Sequence, residues 1–308
     1  MALRQVLDTL DLLDGWVTGD EVADRLRGRG LEVETTDVSH GSGSTTFLRV
    51  LVPGADGRSE GSSAPTTGII GRLGGVGARP GAVGMVSDAD GAVAAVAAAL
   101  KLALMRDRGD LLSGDVIITT HICPDAPTIP HDPVPFMGPP VPMATMNTHE
   151  VDPRMDAVLS IDATKGNRVL NHRGFAITPT VKEGYILPVA PDLLDLYEWV
   201  AGRPARVLPL STYDITPYGN GLYHVNSILQ PAVATTAPVV GIATTAVTVV
   251  PGTATGANHP TDIAGVVRYC IEVAKGLGSG MLSLFDADEF AHAVALYGSM
   301  TRLQGGDA

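Results

Sequence analysis

Cysteine is scarce in this sequence, with only Cys123 and Cys270 among 308 residues. Two thiols in a chain of this length cannot supply the disulfide framework that stabilises many small secreted domains. The N-terminal segment also lacks the continuous apolar run of a secretory signal. We therefore expect a protein of a reducing compartment, the cytoplasm.

Basic residues and long apolar runs are also few. The 21 Lys and Arg residues are outnumbered by 33 Asp and Glu residues, and the net charge of -12 repels both nucleic acid and an anionic membrane surface. The most apolar helical stretch, Ala92 to Met105, is interrupted by Lys101 and is shorter than the roughly 20 residues that span a bilayer. We expect neither nucleic acid nor a membrane as a partner.

Apolar residues are nevertheless abundant enough for a large core, since 45% of the chain is hydrophobic. From Thr67 onwards, short β-branched runs alternate with helical patterns, which is typical of parallel strands covered by helices on both faces. We predict a single α/β domain over residues 1–308, which begins with N-terminal helices in residues 1–30. Its architecture would be a three-layer α/β/α sandwich with a mixed, mainly parallel sheet.

The individual elements follow from periodicity and capping patterns. The predicted strands cover residues 31–38, 45–52, 67–73, 115–122, 157–162, 175–181, 206–210 and 239–245. The predicted helices cover residues 3–13, 92–106, 192–200, 261–276 and 286–303, with a further short helix opened by a capping box of Thr18 and Glu21. Residues 121–149 contain eight prolines, so we predict an irregular loop there that lies over the functional site.

Ionisable side chains occur where the predicted strands end. Asp88 and Asp90 open the alanine-rich helix, His121 and Asp162 end two strands, and His259 precedes a later helix. Each has an ordinary alternative role, because carboxylates cap helix N-termini and a lone His is often a core residue. The carboxyl ends of parallel strands share one edge of a sheet, so these residues are also candidates for a divalent metal site.

Two other motifs suggest different chemistry. The glycine-rich turn Gly68 to Gly77 is compatible with a dinucleotide site, but residues 79–81 stand where such a site needs the start of a helix. Cys123 lies two residues after His121, so a thiol nucleophile with a His base is a further alternative. Pro124 leaves that thiol without a helix N-terminus to lower its pKa, which disfavours this alternative.

The order of the strand-end residues resembles that of the co-catalytic zinc aminopeptidases and related carboxypeptidases. The resemblance implies that Asp88 is a bridging ligand, Asp162 a later acidic ligand and His259 the last His of a zinc site. Two positions depart from the pattern. Arg72 stands where these enzymes have their first His, and Thr120-His121 stands in the place of their Glu pair.

Five motifs carry a closer resemblance: Gly68-Ile69-Ile70-Gly71-Arg72-Leu73-Gly74-Gly75, Ser87-Asp88-Ala89-Asp90-Gly91, Thr120-His121-Ile122-Cys123-Pro124, Lys182-Glu183-Gly184-Tyr185-Ile186 and Thr216-Pro217-Tyr218-Gly219-Asn220-Gly221. They resemble a bacterial family known as a domain of unknown function, DUF1177. The similarity runs from the first residues to Glu289. It implies a family without implying an activity.

The zinc-peptidase resemblance implies a metal-dependent hydrolase, with zinc as its metal, that acts on a peptide or small amide. The expected metal ligands are Asp88, Asp90, His121, Asp162 and His259. The expected catalytic residues are His121, as a base near neutral pH, and Arg72, as a binder of a substrate carboxylate. Because the first His and the Glu pair are replaced, the alternative is a noncatalytic or regulatory protein that binds a small ligand on the same fold. A homo-oligomer is compatible with either hypothesis.

Overall fold

The N-terminal helices pack on the same core as the sheet. The computed structural model describes residues 1–41, 43–132 and 134–305, so parts of the predicted domain 1–308, of the predicted loop 121–149 and of the connection after residue 38 lie outside the described residues. Helix α1 spans Leu3–Leu13 and α2 spans Gly19–Arg27. The Thr18 hydroxyl accepts the Glu21 N–H at 3.2 Å and the Glu21 carboxylate accepts the Thr18 N–H at 2.7 Å. The predicted capping box is confirmed.

Nine strands of the described chain form one mixed sheet. Its centre consists of four parallel strands, in the order β4 (Val116–Ile122), β3 (Thr67–Gly71), β7 (Ala157–Ala163) and β11 (Val239–Thr245), with antiparallel strands on either side. Strands β5 (Thr128–Ile129) and β6 (Phe136–Met137) form a separate pair. The nine strands are β1 (Glu32–His40), β2 (Gly43–Val52), β3 (Thr67–Gly71), β4 (Val116–Ile122), β7 (Ala157–Ala163), β8 (Gly174–Ile177), β9 (Thr180–Lys182), β10 (Tyr185–Leu187) and β11 (Val239–Thr245).

Helices cover both faces of this sheet. Helices α3 (Asp90–Arg106) and α6 (Pro260–Gly278) lie on one face, with α1 and α5 (Pro191–Ala201) packed against them. The opposite face carries α4 (Met143–Glu150) and short 3-10 turns at Thr212–Ile215 and Gln230–Val233. Helix α7 (Ala287–Tyr297) follows α6 in the chain. The predicted α/β sandwich with a mixed sheet is confirmed.

Several predicted elements need correction. Residues 206–210 form no strand, and only Val207 makes a single bridge, to Ile177. The strand predicted over residues 175–181 divides into β8 and β9 because Pro179 has no N–H to donate to a ladder. The helix predicted to reach residue 303 ends at Tyr297, where Gly298 adopts a φ of 77°. The proline-rich segment is not wholly irregular, since α4 follows its last proline.

None of the helices in the described part of the chain is long and apolar enough to cross a bilayer.

Candidate functional site

The register of the parallel strands brings three predicted site residues together. Gly71 of β3 lies opposite Thr120 of β4 on one side and Ile161 of β7 on the other. The next residue on each strand is therefore also a neighbour, and these residues are Arg72, His121 and Asp162. Side chains alternate along a strand, so all three point to the face that α4 covers. The Arg72 N–H extends the ladder by donating to the Ile161 carbonyl at 2.9 Å.

Glu150, the last residue of α4, connects two of these side chains. Its carboxylate accepts a hydrogen bond from the Arg72 guanidinium and lies 2.8 Å from Nδ1 of His121. The side chains of Arg72, Glu150 and His121 are 1%, 0% and 3% exposed. A carboxylate accepts hydrogen bonds and cannot donate them, so Nδ1 of His121 carries the proton in this contact. Both predicted catalytic side chains, Arg72 and His121, therefore pair with Glu150 in the protein interior.

Asp90 is fully engaged by other protein groups. Its Oδ2 lies 2.5 Å from Nζ of Lys165 and accepts the Thr244 hydroxyl at 2.8 Å. Its Oδ1 accepts Nδ2 of Asn258 at 2.5 Å. Lys165 itself is buried. These donors occupy both carboxylate oxygens of Asp90.

Asp162 is buried at the end of β7, where it accepts the Ser227 hydroxyl at 2.6 Å. Burial raises the pKa of Asp162 to about 6, and the hydrogen bonds from Ser227 and the Ala163 N–H partly oppose this effect. The charge of Arg72 also lowers the pKa, whereas that of Glu150 raises it. Asp162 thus gains and loses its proton much nearer neutrality than an ordinary carboxyl group does.

Asp88 is partly exposed in the 3-10 turn Ser87–Ala89, directly before α3. Its N–H donates to the Gly252 carbonyl at 3.3 Å, and its carboxylate accepts the Met137 N–H from the proline-rich segment. The pKa of Asp88 is raised to about 7. The main cause is loss of solvent around the carboxylate, and the second is the negative charge of Asp162. Lys165 acts in the opposite direction. Asp88 and Asp162 are therefore electrostatic neighbours.

We call these residues the strand-end cluster: Arg72, Asp88, Asp90, His121, Glu150, Asp162 and Lys165. It contains four carboxyl groups and two permanent cations. Arg72 pairs with Glu150, and Lys165 pairs with Asp90. Asp88 and Asp162 form no such ion pair with any residue that the structure describes, and the pKa values of both are raised. Two negative charges are consequently unbalanced when all four groups are ionised.

His259 and Cys123, two other predicted groups, make no hydrogen bond or ion pair with the strand-end cluster among the described residues. His259 is the N-cap residue of α6, where its side chain makes no capping hydrogen bond. The Cys123 thiol is buried, 3.6 Å from Oδ1 of Asp125, and burial raises its pKa to about 12. A thiol of that pKa is protonated at neutral pH and a poor nucleophile, which disfavours the Cys123 alternative.

The donor set does not fit the zinc centre that the resemblance implied. A structural or catalytic zinc ion takes at least three protein ligands, and no group of three His, Cys, Asp or Glu side chains in the described ranges is arranged to hold a metal ion. Lys165 already neutralises Asp90, and Arg72 stands where the first His was expected. The proposed metal ligands and catalytic residues therefore stay predictions, and no reaction step is derived through a metal.

Two cluster residues, Glu150 and Lys165, were not predicted. Glu150 ends a helix that was predicted as loop, and Lys165 lies three residues after the predicted ligand Asp162. Their partners lie 78 and 75 residues away in sequence. The only local signal was the position of Lys165 in Thr164-Lys165-Gly166, a turn immediately after a strand.

The fold belongs to the aminopeptidase-like α/β class. A cytosol aminopeptidase from Coxiella burnetii matches 86% of this chain with a TM-score of 0.55 at 14% identity. A leucine aminopeptidase from Caenorhabditis elegans matches 90% with a TM-score of 0.50 at 10% identity. This chain covers 67% and 66% of those two chains, about two thirds of their length. At such identities the likeness shows the fold alone.

The chain belongs to the family described as "Protein of unknown function (DUF1177)", whose sequence model matches residues 36–306. The predicted family is confirmed. The match begins after α2, later than the predicted similarity, and it extends past Glu289, where the predicted similarity ended. No curated protein matches the sequence.

Proposed function

We propose that this protein binds a small peptide-like ligand through the ligand's primary ammonium group, at Asp88 and Asp162, without a zinc ion. The observation that carries the proposal is the charge imbalance of the strand-end cluster. Asp90 and Glu150 each have a cationic partner, whereas Asp88 and Asp162 form no ion pair within residues 1–41, 43–132 and 134–305. An ammonium group would supply the missing positive charge, and both carboxylates would be favoured in their ionised forms.

The surroundings of the pair support a peptide-like ligand. The pKa of the Tyr218 phenol is raised, first by burial and second by the negative charge of Asp162, so this ring lies within electrostatic range of Asp162. Tyr218 also packs on His224, with the ring centroids 4.8 Å apart. Tyr218 is 38% exposed and the neighbouring Tyr223 is 71% exposed. Aromatic faces beside an acidic pair suit an amine that carries an apolar side chain.

The aminopeptidase-like fold favours the same ligand class, but the cluster does not favour the metal-dependent hydrolase predicted from sequence. In a metallohydrolase the metal polarises the carbonyl and activates water. Here Lys165 and Arg72 are held by carboxylates, and His121 is held by Glu150. We therefore favour binding without hydrolysis.

The direct test compares L-leucinamide with N-acetyl-L-leucinamide, which has the same side chain but no ammonium group. We expect the first to raise the melting temperature and to bind with measurable heat, and the second to do neither. Asp88→Asn and Asp162→Asn should each weaken binding at least about tenfold, because each removes a charge from the pair. The matched control is Asp110→Asn, at an exposed position.

Equal binding of the acetylated and free amides would contradict the proposal. So would Asp88→Asn binding as tightly as the unaltered protein. Metal-dependent release of ammonia or an amine from an amide panel would instead favour the hydrolase. Both amides are tested with and without added Zn²⁺ for this reason.

A further inference from the structure

Lys165 is held in an unusual backbone conformation. It follows β7 with a φ of 45°, and Gly166 follows it with a φ of 78°. A residue with a side chain is disfavoured at positive φ and persists there only when its surroundings fix it. The Lys165 carbonyl accepts the Val250 N–H at 3.0 Å, and a Cβ on Gly166 would lie 2.1 Å from the Thr248 carbonyl oxygen. The turn is thus fixed by the segment after β11.

This turn directs the Lys165 ammonium to the carboxylate of Asp90, which other polar groups also contact. Its partner Oδ2 of Asp90 also accepts the Thr244 hydroxyl. Oδ1 of Asn258 is buried nearby, since Nδ2 of the same amide contacts Asp90, and that oxygen has no hydrogen-bond donor in the described chain. Asp88 lies close enough for the Lys165 charge to act on it. Carboxylate, amide and hydroxyl oxygens are the ligands that hard divalent cations prefer.

We propose that the Lys165 ammonium group is a built-in replacement for a divalent cation, which neutralises Asp90 and thereby keeps this position free of metal. The inference concerns the charge of Asp90 at the N-terminus of α3. It is independent of which ligand Asp88 and Asp162 bind. It also accounts for the poor fit of the cluster to a zinc centre. Removal of the ammonium should leave an oxygen-rich position with an uncompensated negative charge.

The experiment replaces Lys165 by Met, which keeps an unbranched side chain, lacks the terminal ammonium group and therefore removes the charge. We expect Lys165→Met to bind Mn²⁺ at least about tenfold more tightly than the unaltered protein does, and to gain melting temperature on addition of Mn²⁺. The melting temperature of the unaltered protein should not change after dialysis against a chelator, and it should not rise when Mn²⁺ is added. Lys275→Met is the matched control, because it removes a Lys that pairs with Glu272 on the surface.

A double variant, Lys165→Met with Asp90→Asn, separates charge from packing. It lacks both members of the pair and should bind Mn²⁺ no better than the unaltered protein. Folded Lys165→Met that binds no Mn²⁺ would overturn the proposal, as would stoichiometric Mn²⁺ or Zn²⁺ in the unaltered protein. Lys165→Met that does not fold should be rescued when Mn²⁺ is present during refolding, and failure of that rescue would also overturn it.

Discussion

Glu150 shows how a fully buried carboxylate can be accommodated when each of its oxygens has a partner. Oε2 pairs with Arg72 and Oε1 with His121, while its own carbonyl accepts the Thr119 hydroxyl at 2.7 Å. A buried ion pair of this kind is weak evidence for net stability, because desolvation opposes the attraction. Removing one partner has a much larger effect, since the other charge then stays buried alone.

Glu150→Gln should therefore lower the free energy of unfolding by about 3–5 kcal/mol, because Arg72 would lose its counter-ion inside the protein. Glu34→Gln is the control. It removes a carboxylate that pairs with Arg49 at the surface, where the expected loss is below about 1 kcal/mol. Urea unfolding at neutral pH measures both. Similar small losses in the two variants would mean that the buried pair is compensated in some other way.

Asp88 gives a pH-dependent prediction at the same scale. Its pKa is raised to about 7 by burial and by Asp162, against about 4 in an unfolded chain. The folded protein keeps this proton to higher pH than the unfolded chain does, so the group's contribution to stability is fully present below about pH 4 and is lost as the pH rises through about 7.

Asn cannot ionise, so Asp88→Asn should become more stable relative to the unaltered protein as the pH rises, by about 2–4 kcal/mol between about pH 4 and pH 8. The difference between the two free energies of unfolding, measured in urea over that range, tests this. Parallel pH profiles would show that Asp88 ionises freely in the folded state.

At the scale of elements, α3 approaches β3 unusually closely, and this contact positions the carboxylates before and at the start of the helix. A Cβ on Gly71 would lie 2.4 Å from the Gly91 carbonyl oxygen, and one on Gly91 would lie 2.6 Å from the Leu73 nitrogen. Both clashes involve backbone atoms, which cannot move aside as a flexible side chain would. The spacing between the helix and the strand therefore depends on these two glycines.

Gly71→Ala should destabilise the protein by about 1–3 kcal/mol through overpacking. It should also weaken binding of L-leucinamide, because displacement of α3 would move Asp88 relative to Asp162. Gly15→Ala is the control, since nothing lies within 4 Å of a Cβ at that position. Thermal melts and calorimetric titrations are compared for the two variants. Binding that is unchanged in a destabilised Gly71→Ala would separate the acidic pair from the position of α3.

At the scale of the whole molecule, the central strands were predictable because they are buried on both faces and read as short β-branched runs between helices. Strand β11 (Val239–Thr245) and helix α1 (Leu3–Leu13) have the predicted bounds. The predicted strand over residues 206–210 was wrong, because local β-propensity does not reveal whether a neighbouring strand edge is available for pairing. Helix α4 was missed because the prolines before it dominated the composition.

The candidate site was predictable only in part, for a related reason. Strand alternation and the shared sheet edge suggested that His121 and Asp162 would be neighbours, and the ladder of β3 with β4 and β7 brings them together. Arg72 was recognised as a departure from a zinc site. Nothing local indicated that Glu150 would neutralise it, or that Lys165 would neutralise Asp90, since a pairing across more than 70 residues depends on the complete fold.

The contact between His121 and Glu150 also has an entropic consequence. These residues are 29 positions apart, so their contact closes a loop that consists largely of the proline-rich segment. Closing and ordering a loop of this length removes conformational freedom that the unfolded chain possesses. Each proline has already restricted that freedom before folding, by about 0.4–1 kcal/mol where its φ suits the native backbone. The prolines of residues 121–132 and 134–149 thus reduce the conformational entropy that the chain loses when these residues fold.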